Sequence, residues 1–242
     1  MEFSQTYFSV FSHIEAVPSD LSTVRNTVRL MELNTRARLE KHLAPEKVMF
    51  KPLVVVGPSG AGKGTLISFL TSKFPEKFGF SVSYTTRSPR QGEVDGVHYN
   101  FVTMDKFKDM IANDEFIEHC QVYDKMYGTA KEQIRKIQNE KKIPLLDIDV
   151  QGALKFAKVF PDSNFLAVLP PSKAQLEKRL RGRGTDSQEN ILHRLTFVEG
   201  EMESLCQNKS TFNYRIVNEK LEVSRRTLEL LTSALYAEEL LG

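Results

Sequence analysis

Gly57-Pro58-Ser59-Gly60-Ala61-Gly62-Lys63-Gly64-Thr65 decides the fold of this chain. The stretch follows the apolar run Leu53-Val54-Val55-Val56 and precedes the apolar, helix-compatible Leu66-Ile67-Ser68-Phe69-Leu70. Strand, glycine-rich loop and helix in that order are the context of a phosphate-binding P-loop. Glycines let the backbone curl until successive N–H groups point at one anion. The helix that follows adds the positive end of its dipole. Lys63 adds a point charge near the outer phosphates.

From Lys51 onward, strand and helix patterns alternate. Pro52–Val56, Ile143–Asp147, Asn164–Leu169 and Tyr214–Val217 are short apolar runs, the pattern of strands buried on both faces. Helical patterns are expected over Gly62–Ser72, Lys173–Arg181, Gln188–Gln207 and Lys220–Leu240. Such alternation predicts an α/β class with a parallel sheet flanked by helices, and ligands at the carboxyl ends of its strands, where Gly57 and Asp147 fall. Asp147 closes an apolar strand downstream of the P-loop, the arrangement that reaches magnesium through water. The alternative is an aspartate that caps the following turn.

Ser81–Thr129 breaks the alternation. A turn-rich segment, Arg87–Gly96, leads to a strand-like His98–Val102, a helix over about Met104–Asn113, and a strand-like Phe116–Val122. A small insert with its own sheet is expected.

With 242 residues and a formal net charge of +2, the chain suits one large domain, or one domain with inserts, and no global field favours nucleic acid or acidic membranes. Cys120 and Cys206 are too few for a disulfide framework and fit buried packing in a reducing compartment. No run approaches the roughly 20 apolar residues that span a bilayer. No basic segment followed by an apolar core opens the chain, so no secretory leader is expected. Residues 1–50 read as an extension with an amphipathic helix over Asp20–Leu43, its stripe formed by Leu21, Val24, Val28 and Met31. Ser19 or Asp20 caps it and Pro45 lies beyond its end. An organelle transit peptide is the alternative, but Glu2, Glu15, Asp20, Glu32, Glu40 and Glu46 weigh against one.

A second constellation lies in Ser83-Tyr84-Thr85-Thr86-Arg87-Ser88-Pro89-Arg90-Gln91-Gly92-Glu93-Val94-Asp95-Gly96-Val97-His98-Tyr99. Arg87 and Arg90 flank Pro89, which stiffens the turn, and two guanidinium forks beside a phenol suit a phosphate or carboxylate. Taken alone, exposed loop arginines are more often simply solvated. Spaced after that P-loop, however, the segment resembles the GMP-binding segment of guanylate kinases. The resemblance continues through Phe116-Ile117-Glu118, Tyr127-Gly128-Thr129, Leu146-Asp147-Ile148-Asp149-Val150-Gln151-Gly152 and Lys178-Arg179-Leu180-Arg181-Gly182-Arg183-Gly184-Thr185, and ends near Ile216-Val217-Asn218. It covers roughly Pro52 to Leu240.

The resemblance implies a P-loop kinase fold: residues 51–80 and 143–242 as core, a mixed α/β GMP-binding insert at about 81–129, and a mobile lid at about 179–190. It implies transfer of the γ-phosphoryl group of MgATP to GMP. Arg87, Arg90, Tyr99 and Tyr127 would hold the GMP phosphate. Glu118 would read guanine, whose N1 and N2 offer adjacent N–H donors where adenine offers a lone pair, with Ser83 and Thr129 completing the pocket. Asp149 and Glu93 match residues near the GMP. ATP would lie on Gly57, Ser59, Gly60, Ala61, Gly62, Lys63, Gly64 and Thr65, with Asn218 by the adenine. Arg179, Arg183 and Arg194, with Lys63 and Arg87, would surround the phosphates in flight. The implied partners are the small molecules ATP and GMP in the cytoplasm, without nucleic acid or membrane, with a monomer expected and a homodimer as alternative.

One departure concerns magnesium. The common P-loop places Ser or Thr directly after the lysine, where its hydroxyl holds Mg²⁺; here that place is Gly64, and Thr65 follows. Gly-Lys-Gly-Thr resembles the loop of adenylate kinases. Magnesium keeps several waters, so a contact from Thr65 and Asp147 through water would serve. Two alternatives remain: a non-catalytic protein-binding module of guanylate-kinase type, opposed by the intact Gly57, Gly62 and Lys63, and a monophosphate kinase of different base specificity, opposed by Glu118 and the Arg87/Arg90 segment.

Overall fold

The computed structural model describes residues 50–122, 124–182, 188–212, 214–237 and 240, the side chains of 189, 190 and 192–194 excepted. The extension helix expected over Asp20–Leu43 and lid residues 183–187 lie outside the described residues. The strands are β1 (Leu53–Val56), β2 (Phe78–Phe80), β3 (Tyr84–Thr85), β4 (Asn100–Phe101), β5 (Phe116–Val122), β6 (Lys125–Ala130), β7 (Ile143–Asp147), β8 (Asn164–Leu169) and β9 (Tyr214–Val217). The helices are α1 (Lys63–Lys73), α2 (Met104–Ala112), α3 (Lys131–Asn139), α4 (Val150–Val159), α5 (Lys173–Arg181), α6 (Gln188–Gln207) and α7 (Leu221–Leu235).

A five-stranded sheet of order β2-β7-β1-β8-β9 forms the centre, and every pairing in it is parallel. The central strands β7, β1 and β8 are short apolar blocks because both faces are covered, whereas the edge strands β2 and β9 are only partly buried. Alternate residues serve opposite cores. Val54, Val56, Leu146, Phe165 and Ala167 point toward α4, α5 and α6, meeting Phe156, Leu176, Leu180 and Met202. Leu53, Val55, Leu145, Leu166 and Val168 point toward α1 and α7, meeting Leu66, Leu70, Leu228, Leu231 and Tyr236. This is the α/β architecture that the alternation of patterns predicts.

A second sheet, β4-β3-β6-β5, stands apart with its own small core of Phe107, Met110, Phe116 and Ala130. Its α2 is capped by Thr103, whose hydroxyl accepts from Lys106 N, and Phe107 stacks on Phe116 at 4.6 Å between centroids. A register irregularity interrupts β5 between Phe116 and Glu118, after which Glu118 lies opposite Thr129 of β6. Such bulges re-aim side chains beside binding sites.

Several elements differ from expectation. The strand expected over His98–Val102 is only Asn100–Phe101, because His98 lies in a turn, where its Nδ1 accepts from Val94 N, and Tyr99 makes only an isolated bridge to Asp95, its O accepting from Gly96 N. The final helix, expected to run to Leu240, is interrupted at Tyr236, which leaves helical geometry and caps α7 at Leu235; residues 237 and 240 are again helical, and Leu240 N donates to Tyr236 O at 2.8 Å. The sequence patterns pass over β2, β3, β6, α3 and α4. In α3 only Ile134 and Ile137 are buried, too few for a clear stripe.

Tyr236 anchors α7 to the sheet. It is 1% exposed, meets Phe78 edge to face at 5.9 Å, and accepts a hydrogen bond from Asn164 Nδ2 at 3.0 Å. Tyr236→Ala is expected to lower unfolding stability in urea by about 3–5 kcal/mol, the cost of a buried aromatic cavity. Tyr236→Phe should cost about 1 kcal/mol, the value of one hydrogen bond. Equal losses would place the stabilisation in the hydroxyl rather than in ring packing.

Candidate functional site

Between β1 and α1 the chain curls through Gly57–Gly62. Gly62 has φ 96°, and a Cβ there would collide with Asn218 Nδ2, so both backbone shape and space exclude a side chain. Asn218, buried just after β9, donates from Nδ2 to Ala61 O at 2.9 Å, and its own N–H reaches Leu169 O at 2.8 Å. Arg179 of α5 donates to Asn218 O at 2.7 Å. Both residues thus brace the loop from behind, a contact the sequence does not suggest. Helix α1 has no capping side chain, which leaves the N–H groups of its first turn available to an anion.

Lys63 folds back onto the loop, donating to Gly57 O at 2.6 Å, with Nζ 3.7 Å from Asp147 Oδ1. Asp147 ends β7 without capping the helix that follows. That task falls to Asp149, whose Oδ1 accepts from Gln151 N and Gly152 N at 2.8 and 3.0 Å. Burial pushes the Asp147 pKa up, and Lys63 opposes the shift.

On the insert side, the Arg87 fork closes on Glu93: Nη1 and Nη2 donate to its two oxygens at 2.8 and 2.9 Å. Glu93 also accepts from Arg90 N at 2.7 Å. The Arg87 hydrogen bond, foremost, holds the Glu93 carboxyl below its ordinary value. The Arg87 guanidinium lies 5.2 Å from the Tyr99 ring centroid, and Tyr99 meets Tyr127 edge to face at 5.9 Å. Burial, aided by the Asp147 charge, raises the Tyr99 phenol to about 12, so it stays a hydrogen-bond donor at neutral pH.

Glu118 is 4% exposed. Its Oε1 accepts from the Thr129 hydroxyl at 2.6 Å, whereas Oε2 is buried without a partner. Burial, foremost, pushes its pKa up to about 7; the Asp149 charge adds to the rise, and the Thr129 hydrogen bond opposes it. Gly152 makes room for this carboxylate: a Cβ there would stand 2.7 Å from Oε2. A buried polar atom left unpaired is costly, and a titratable group so strongly perturbed in a cleft is a candidate for function.

These groups face one cleft of about 470 Å³, within the usual range for ligand sites of roughly 300–1,000 Å³. Gly57, Ser59, Lys63, Asp147 and Asp149 line it from the main sheet; Ser83, Arg87, Arg90, Tyr99, Glu118 and Tyr127 line it from the insert. Gly60, Ala61, Gly62, Gly64, Thr65, Glu93, Thr129, Arg179 and Asn218 are not among the lining residues. Of these, Glu93, Thr129, Arg179 and Asn218 act as partners of neighbours in the wall or loop. Arg183 and the Arg194 side chain lie outside the described residues. Sequence reasoning missed Gly152, Cys120 and Glu201. Burial, first of all, and the Asp149 and Asp147 charges push the Glu201 pKa up to about 7, against the pull of Lys63. Glu201 sits in the apolar stripe with Val198, Met202 and Leu205, and a carboxylate in such a stripe was the available signal. Among the described residues no three His, Cys, Asp or Glu side chains converge to ligate a metal directly, and no helix is long and apolar enough to cross a membrane.

The family model for guanylate kinase matches residues 49–235. Guanylate kinase 1 of Oryza sativa subsp. japonica is 44% identical over 183 residues, 76% of this chain and 48% of that protein, so the match spans about half the length of the rice relative. Guanylate kinase of Schizosaccharomyces pombe is 42% identical over 181 residues, 75% of this chain and 89% of the relative. Among solved structures, guanylate kinase from Anaplasma phagocytophilum superposes with a TM-score of 0.58 at 29% identity, covering 80% of this chain and 88% of that one.

The buried carboxylate makes a prediction about stability. In the unfolded chain Glu118 ionises near its ordinary 4.5, in the folded protein near 7. Between these values the native state keeps a proton that the unfolded state has released, so stability falls as pH rises through the window and stays low above it. The shift corresponds to roughly 3 kcal/mol. Glu118→Gln should therefore melt above wild type at pH 8, with the gap shrinking toward pH 4.5. A gap independent of pH would show that the carboxylate carries no such cost.

Proposed function

The chain belongs to the guanylate kinase family, and we propose that it transfers the γ-phosphoryl group of MgATP to GMP, giving ADP and GDP. The observation that carries the assignment is Glu118: a buried carboxylate with one open oxygen, across one cleft from a lysine-bearing P-loop. In this proposal Glu118 accepts N1–H and N2–H of guanine, with Ser83, Thr129 and Asp149 around the base. The arginines Arg87 and Arg90 and the phenols Tyr99 and Tyr127 receive the GMP phosphate, whose charge replaces Glu93 as the partner of the Arg87 fork.

The triphosphate lies over Gly57–Thr65, and Lys63 exchanges Gly57 O for phosphate oxygens. The hard oxygen donor of Asp147, beside Lys63 at the cleft floor, suits Mg²⁺ held through water, with Thr65 as the second contact. The ion would neutralise charge on the transferring phosphate. Phosphoryl transfer leaves little covalent work for the protein, so positioning and charge neutralisation carry it. The GMP phosphate is already an anionic nucleophile and needs no general base. Arg183 and Arg194 would stabilise the phosphates in flight, while Arg179 holds the loop that carries them through Ala61 O and Asn218 O.

A coupled ADP-release assay with GMP, AMP and dGMP tests the proposal. Wild type should turn over GMP and leave AMP nearly untouched. Lys63→Ala should fold normally and lose about 10²-fold in kcat, an electrostatic contact worth ~3 kcal/mol. Wild-type kcat in that variant would refute the P-loop assignment. Glu118→Ala should lower the GMP/AMP ratio of kcat/KM steeply, because sites built to hydrogen-bond a substrate reject analogues by about 10⁴. KM for ATP serves as the internal control, and an unchanged ratio would mean that Glu118 does not read the base.

A further inference from the structure

We propose that Cys120 is a positioning residue of the base pocket: its thiol donates a hydrogen bond that fixes the Asp149 carboxylate beside Glu118. The inference rests on the assignment of this cleft to GMP. Cys120 follows Glu118 by two residues on β5, and both side chains are buried. Cys120 Sγ lies 2.6 Å from Asp149 Oδ2. The other oxygen, Oδ1, is already taken by Gln151 N and Gly152 N at the start of α4. Asp149 is thus clamped from two sides, one oxygen by the helix that follows the main sheet and the other by a strand of the insert. Among the described residues the thiol is the one donor to Oδ2.

The residue type matters as much as the distance. Glu118 Oε2 and Asp149 Oδ2 border the same space over Gly152: a Cβ built there would stand 2.7 Å from one and 3.6 Å from the other. Two carboxylates so close repel, and a lysine between them would quench the charge that the base must meet. An apolar side chain would leave Oδ2 unanchored. A thiol supplies one proton and no charge. Burial, then the Asp149 charge, push its pKa up, so it remains a donor rather than a nucleophile. Glu118 Oε2, buried without a protein partner, opens onto the same space. Each carboxylate is therefore held by one neutral donor of the β5–β6 hairpin, Thr129 for Glu118 and Cys120 for Asp149, and keeps acceptor capacity for the base.

The test is steady-state kinetics of the full chain with GMP and MgATP varied separately, beside melting temperatures. Cys120→Ala should raise KM for GMP about three- to tenfold, the range for losing one positioning hydrogen bond, with kcat and KM for MgATP within roughly twofold of wild type. Cys120→Ser keeps a neutral donor and should restore KM for GMP to near the wild-type value. A role in packing alone would move the melting temperature without that split and without that rescue. Unchanged KM for GMP in Cys120→Ala, or a serine variant no better than the alanine one, overturns the inference while wild-type turnover of GMP leaves the proposed function standing. Wild type unable to phosphorylate GMP overturns both.

Discussion

The parallel pairing of Leu53–Val56 with Ile143–Asp147 on one side and Asn164–Leu169 on the other is the constraint on which the rest depends. Because side chains alternate, one register sends Val54 and Val56 to one core and Leu53 and Val55 to the other. A slip by one residue would exchange both sets, and two dry faces make that slip costly. With the register fixed, Gly57, Asp147 and Asn218 leave the sheet at the same carboxyl edge. A P-loop lysine, a carboxylate and the brace behind the loop then converge with no further machinery.

The cleft that results is a store of charge held in provisional arrangements. Lys63 leans on Gly57 O and Asp147, Arg87 on Glu93, and Asp149 on Cys120 and the start of α4. Each arrangement satisfies a polar group with a neighbouring partner, which in the proposed function a nucleotide supplements or replaces. Glu118 is the exception, since its Oε2 meets nothing. A protein keeps a buried, half-satisfied carboxylate only at a stability cost; in the proposed function that cost secures specificity for a base with two adjacent N–H donors.

Much of this was legible in the sequence because it is written in local terms. Ile143–Asp147, Asn164–Leu169 and Tyr214–Val217 are strands to the residue; the first two are central strands buried on both faces and read as apolar runs, while Tyr214–Val217 at the sheet edge carries Arg215 and an exposed Val217. The P-loop declares itself through glycines and a lysine. Other features depend on who the neighbours are. Strand β6 was invisible because Tyr127 and Thr129, recognised as site residues, mask its alternation. Asp149 caps α4, and sequence alone does not separate a capping aspartate from Asp147 two residues earlier, which does not cap the helix. Gly152 matters through its closeness to Glu118, which lies 34 positions away by the numbering of the chain. Glu201 is brought to the cleft only by the packing of α6 on the sheet. The shortened β4 and the break of the last helix were settled by the turn that ends at His98 and by the cap geometry at Tyr236.

In the proposed function the cleft is built around the buried Glu118 carboxylate, which accepts two N–H donors of the base. A site-resolved titration of the Glu118 side-chain carboxyl by carbon NMR, in the free protein and at saturating GMP, tests it most directly. The account predicts an apparent pKa near 7 in the free protein, well above the ordinary 4.5, and a clear fall when GMP supplies its donors and favours the ionised form. A free-protein value near 4.5, or one that does not move when GMP binds, would contradict it.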